Sequence, residues 1–121
     1  GDLYVMGLIY KGFTLDPAVV EPKQILRAAT EMGARSQGRE DCGVLKVGNK
    51  ADLCIFDTSG PQWTPMTSPI YNVVFAGDGS DIVLTMCDGK VVYDNGNWPT
   101  LDLEKVKAEV SARAKRIISE L

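Results

Sequence analysis

With 121 residues, 45% of them hydrophobic and 24% charged, the chain has the length and composition of one globular domain, which excludes a disordered or collagen-like polymer. A net charge of −3 disfavours nucleic acid or an anionic membrane surface as partner, and no apolar run approaches the ~20 residues of a membrane span. The sequence holds no histidine, which excludes a Ser-His-Asp triad, a Cys-His dyad and a His-ligated metal site within these residues.

The opening Gly1-Asp2-Leu3-Tyr4 has no basic n-region and does not read as a secretory signal. Leu3 to Tyr10 is apolar except for Gly7, a pattern that fits a buried helix or a strand equally well. A segment this apolar needs a partner surface, the first sign that the chain is a piece of something larger. Asp16-Pro17 marks a break. Glu21-Pro22 then opens a helix, with Pro in the first turn where its missing N–H costs nothing. Ile25, Leu26, Ala29 and Met32 follow at helical spacing, Gly33 fits a C′ position, and a further turn from Ala34 to Gln37 ends at Gly38.

The period then changes. Gly43 to Lys50 reads as a short extended piece and a turn, with positive φ plausible at Gly43 and Gly48. Ala51 to Asp57 predicts a strand with Leu53 and Ile55 on one side and Cys54 and Phe56 on the other. Both faces are apolar, so the strand is expected to be covered on both. Residues 58–70, with Pro61, Pro65 and Pro69, form a loop. Tyr71 to Ala76 is short enough for a strand or one helical turn, and Gly77 to Ser80 is a turn. The clearest local signal is Ile82–Cys87, Asp88-Gly89, Lys90–Tyr93: two β-rich runs around the residue pair that a type I′ turn prefers, because both central positions need positive φ. A turn at Asp94-Asn95-Gly96-Asn97 ends that hairpin. Asp102 to Glu120 predicts a helix whose apolar stripe is Leu103, Val106, Val110, Ala114, Ile117 and Leu121. Asp102 and Glu104 at its start and Arg113, Lys115 and Arg116 near its end suit the helix dipole, and Thr100 or Asp102 can cap it. Helices, then strands, then a helix predict an α+β fold.

The three cysteines, Cys42, Cys54 and Cys87, are odd in number and form no CxxC, which argues against a disulfide framework and for a cytoplasmic location. Cys54 and Cys87 lie in apolar runs and are expected in the core. Asp52, Asp57, Asp81 and Asp88 are the candidates for a general acid/base pair or an oxygen-ligand metal site. Each also has a local role in a turn or at a strand start, and that reading is preferred. Gly77-Asp78-Gly79-Ser80 is too short for a phosphate loop and no Lys follows it. Trp63 and Trp98, near Pro65 and Pro99, read as edge-of-core anchors rather than base-stacking platforms. No catalytic, cofactor-binding or metal-binding residue is assigned.

Three ordered motifs carry a resemblance. Ala29-Thr30-Glu31-Met32-Gly33-Ala34 followed by Gly38 resembles the "A-T-x-x-G-A-x-x-x-G" helix of the metal-dependent amidohydrolases. Gly43-Val44-Leu45-Lys46-Val47-Gly48-Asn49-Lys50-Ala51-Asp52-Leu53 is similar to their "G-x-L-x-x-G-x-x-A-D-L" turn and strand. Ser80–Val83 with Met86–Val92 resembles their closing "V-x-G-K/R-x-V" hairpin. Pro69, Tyr71 and the stretch from Asn95-Gly96 to Asp102 point to the branch of s-triazine chlorohydrolases, guanine deaminase-like enzymes and methylthioadenosine/S-adenosylhomocysteine deaminases.

The resemblance implies a (β/α)₈ barrel that carries the metal site and a small composite β-sandwich built from both chain ends. Residues 1–40 would be the last barrel helices, 41–100 the C-terminal half of the sandwich and 101–121 a C-terminal helix. The implied chemistry is attack of metal-activated water on an sp² carbon bearing an amine or halide, with zinc or iron lowering the water's pKa to roughly 7. The family's ligands, four histidines and an aspartate, are not among these residues, and no metal role passes to Asp2. The expected partner is the missing N-terminal barrel portion, with a homo-oligomer also expected. A stand-alone α+β assembly module is the competing reading, and a carboxylate-only enzyme a third. The first prediction follows from the ligand set. The purified chain should hold no stoichiometric zinc or iron and deaminate no adenosine- or guanine-type substrate; metal analysis finding one tightly held ion per chain would overturn the fragment reading.

Overall fold

The computed structural model describes residues 1–120. The ambiguous apolar run is a helix, α1 (Asp2–Thr14), which stops where Leu15 turns left-handed at φ 54°. The helical choice follows from packing at one point. Gly7 faces Ile25 and Phe75, and a Cβ there would sit 3.1 Å from Ile25 Cδ1 and 3.2 Å from Phe75 Cε1. α2 (Pro22–Arg27) begins as expected with Pro at its start, and the Glu21 N–H donates to Gln24 Oε1 at 2.8 Å, one half of a capping box.

The helix does not end at Gly33. A π-helical turn, Ala28–Met32, inserts a wide turn, and Gly33 stays right-handed at φ −59° as α3 (Gly33–Ser36) begins. The C′ glycine is instead Gly38, at φ 72°. There the Gly38 N–H donates to Arg35 O at 2.9 Å and the Arg39 N–H to Ala34 O at 3.0 Å, the bond pair of a Schellman motif. The following loop folds back on the π turn. Gly43, at φ 80°, approaches so closely that a Cβ would lie 2.8 Å from Thr30 O and 3.0 Å from Ala34 Cβ. Buried Cys42 sits beside this contact.

Three strands follow the expected positions: β1 (Leu53–Phe56), β2 (Ile82–Cys87) and β3 (Lys90–Asp94), in the order β1-β2-β3. Both pairings are antiparallel, with Leu53 opposite Met86, Ile55 opposite Leu84 and Thr85 opposite Tyr93. The β2–β3 turn has Asp88 at φ 49° and Gly89 at φ 77°, the two positive values that a type I′ turn requires. Between β1 and β2 the chain forms a 3₁₀ turn, Pro61–Trp63, and then α4 (Pro69–Phe75). The 71–76 run is therefore helical, starting at a proline that the loop expectation for 58–70 had included.

The core lies between the loop and the helices. Ile25, Trp63 and Val74 are its fully buried large side chains. Phe56 meets the Trp63 ring edge-on at 5.8 Å, and buried Asn72 donates from Nδ2 to Trp63 O at 3.3 Å and to Pro65 O at 3.5 Å. Trp63 is thus central rather than an edge anchor. Trp98, partly exposed, does sit at an edge, 4.9 Å from Tyr93.

Two expectations fail together. Cys54 and Cys87 are exposed and Cys42 is the buried cysteine; β1 is open, with Cys54 and Ile55 both exposed. The reason is the layering. α1, α2 and α4 pack on one another and the strands pair with one another, while among the described residues β1 leaves Cys54 and Ile55 uncovered and Cys87 stands next to the hairpin tip. α5 (Leu103–Ser119) is capped by Asp102, whose Oδ1 accepts from the Lys105 N–H at 3.0 Å. None of its residues is buried; Val106, Val110 and Ile117 of the expected stripe are all exposed, and Leu121 lies outside the described residues. The total surface is 9040 Å², against roughly 6,400 Å² for a compact monomer of this mass.

The Gly43 contact generates a test. Gly43→Ala meets both a positive φ and a backbone oxygen, so it should cost about 1–3 kcal/mol in urea unfolding. Gly48→Ala, at φ 92° with open space around it, should cost less. Equal losses for the two variants would show that the close approach to Thr30 contributes nothing.

Candidate functional site

The densest cluster of charged side chains surrounds the β2–β3 turn. Asp52, just before β1, accepts the Asp88 backbone N–H on Oδ1 at 2.6 Å and Arg39 Nη2 on Oδ2 at 3.0 Å. Lys50 lies 3.7 Å from both Asp41 and Asp88, and Arg39 Nε lies 3.9 Å from Asp41. The Gly89 N–H donates to Ala51 O at 3.1 Å and the Lys50 N–H to Asp41 O at 2.7 Å. The Asp88 N–H, then the Arg39 guanidinium, hold the Asp52 carboxyl below the usual carboxylate range. The carboxylate thereby links the β2–β3 turn to Arg39 through two charge-assisted hydrogen bonds.

Of the other sequence candidates, Asp88 belongs to this cluster, while Asp57 and Asp81 are held by other partners. Asp57 accepts from the Ser59 N–H at 2.9 Å, which lowers its pKa. Asp81 accepts from Gln62 Nε2 at 2.6 Å and from the Asp78 N–H at 2.8 Å. Asp88 contributes its backbone to Asp52 and its carboxylate to Lys50. Asp78, in the motif set aside as a phosphate loop, accepts from the Ser80 N–H at 2.9 Å and has its pKa lowered by that bond. The structure brings Asp52 and Asp88 together but not all four of Asp52, Asp57, Asp81 and Asp88; among the described residues, no group of three or more His, Cys, Asp or Glu side chains is placed to hold a metal ion. The donor set here does not fit the zinc or iron that the resemblance implies.

Two concavities among the described residues bear on a ligand. One is an open, largely apolar groove of about 410 Å³ lined by Ile82, Thr85, Val92, Tyr93 and Trp98. The other, about 250 Å³, is lined by Glu31, Arg35, Glu40, Cys42, Lys46 and Asn49. Glu31 is occupied by Arg27 at 2.7 Å and Arg35 at 2.6 Å. Sequence reading passed over two residues that organise this framework, Arg39 and Asn72. Asn72 had a signal, as the one amide in the apolar run from Tyr71 to Ala76. Arg39 had none, since its partner lies 13 positions away. No helix among the described residues is long and apolar enough to cross a membrane.

The Asp52 tie has a pH signature. A carboxyl whose folded pKa is depressed adds stability above its unfolded pKa of about 4, and that stability is lost as pH falls through the lower folded value. Asp57 and Asp78 shift in the same direction. Asp52→Asn should therefore lower the urea midpoint at pH 7, and the gap to the unaltered chain should close below about pH 4. A gap that stays constant down to pH 2 would show that the charge on Asp52 plays no part.

Comparison with known proteins places this framework. The amidohydrolase family model matches residues 5–92. A curated relative, the 5-methylthioadenosine/S-adenosylhomocysteine deaminase of Acetivibrio thermocellus, is 33% identical over 118 residues, covering 97% of this chain and 27% of that protein. Among solved structures, a zinc-bound adenosine deaminase from Xanthomonas campestris superposes with a TM-score of 0.92 at 24% identity, over 97% of this chain and 27% of that one. The zinc complex of atrazine chlorohydrolase from Arthrobacter aurescens superposes with a TM-score of 0.81 at 28% identity, over 93% of this chain and 25% of that one. The chain spans about a quarter of the length of the proteins it matches. The motifs around Gly33, Gly43, Asp52 and Gly89 all fall inside the matched residues, and the chain belongs to the amidohydrolase family.

Proposed function

We propose that this chain is the C-terminal part of a cytoplasmic, metal-dependent hydrolase that acts on non-peptide C–N bonds and deaminates a purine-type substrate. One observation carries the reading: an alignment that takes in 97% of this chain takes in only 27% of a deaminase 33% identical to it. In this reading residues 1–40 are the last helices of the barrel, 41–100 are the C-terminal half of the composite β-sandwich, and 101–121 are a terminal helix. The chain supplies framework and no catalytic, cofactor or metal residue. The zinc or iron, its ligands and the substrate-binding loops belong to the remaining three-quarters. Three free cysteines suit a reducing compartment.

The exposed surface supports the same assignment over a stand-alone module. An independent module would bury Leu3 to Tyr10 in its own core. Here only Gly7 of that segment is buried, Val5 and Leu8 are about half exposed at 48% and 49%, and Ile9 is 62% exposed. Val47, in the loop before β1, is fully exposed. An apolar surface of this extent calls for a partner. A chlorohydrolase is the second reading, favoured by the 28% identity with atrazine chlorohydrolase.

A chimera tests the assignment. With residues 1–121 in place of the matching stretch of the Acetivibrio deaminase, the protein should fold, bind zinc and deaminate 5-methylthioadenosine, whereas the chain alone should do neither of the last two. A folded chimera without activity, or activity in the chain alone, would overturn the proposal.

Self-association gives a second test. Each exposed side chain buried at a contact contributes about 1.5–3 kcal/mol. By light scattering the isolated chain should be a dimer or larger, and Leu8→Lys with Ile9→Lys should return it to a monomer. A monomeric unaltered chain would refute α1 as the contact.

A further inference from the structure

We draw no further inference here: the strongest candidate, the unpartnered apolar stripe of α5 formed by Val106, Val110 and Ile117, carries nothing because nothing in the structure shows whether a second copy or another part of the polypeptide covers it.

Discussion

The Asp52 carboxylate joins two parts of the chain that otherwise share little packing. One oxygen holds the backbone at the tip of the β2–β3 turn, the other holds Arg39 just past the Schellman end of α3. Its position follows from its neighbours in sequence. Gly43 packs against Thr30 and Ala34 of the helical segment, and the Lys50 N–H on Asp41 O closes the loop just before Asp52 and β1. The type I′ turn then presents the Asp88 N–H, with positive φ at Asp88 and Gly89. The "A-D-L" and "G-K" motifs are therefore two halves of one contact.

That dependence explains which features were legible. The hairpin, β1 and α5 are local: alternation, a turn pair or a 3.6-residue stripe suffices, and each lies within a residue or two of its expected bounds. The end of the α2 segment is different. Gly33 has the composition of a C′ residue, yet the π turn at Ala28–Met32 shifts the register and leaves Gly38 to close the helix. The Gly43 approach to Thr30 is a tertiary fact, read from no window of either segment. The α1 and 71–76 runs were ambiguous for the same reason. A short apolar run is compatible with either period, and what settles them is contact, with Gly7 on Ile25 and Phe75 and Asn72 under Trp63.

The cysteines make the complementary point. An apolar strand predicts burial only if a second layer exists. Cys54 and Ile55 read as core residues and are exposed, because the described residues form no second layer over them. Sequence pattern thus reports the burial that a side chain is suited to, while the structure reports the burial this chain delivers. The candidate site was legible in the same limited sense. Asp57 bonds the N–H two residues on, a tie that a turn motif announces, but the ties of Asp52 to Arg39 and the Asp88 N–H and of Asp81 to Gln62 needed the fold.

The terminal helix extends that logic. An isolated helix of 17 residues is only marginally stable in water. Its ion pairs, Glu104–Lys107 at 2.7 Å, Glu109–Arg113 at 3.4 Å and Arg116–Glu120 at 3.0 Å, are solvent-exposed and add about 0.3–0.5 kcal/mol each at best. The Asp102 cap adds about 1 kcal/mol. These local terms sum to roughly 2 kcal/mol, which holds a helix that is already formed but does not explain a stripe of valine and isoleucine on one face. Residues 103–119 also lie beyond the matched family model, which ends at 92. Yet the superposition on the adenosine deaminase takes in 97% of the chain, too much for all of α5 to fall outside it. A helix that recurs in a chain almost four times as long, and that exposes its apolar face here, is shaped for burial rather than for solvent.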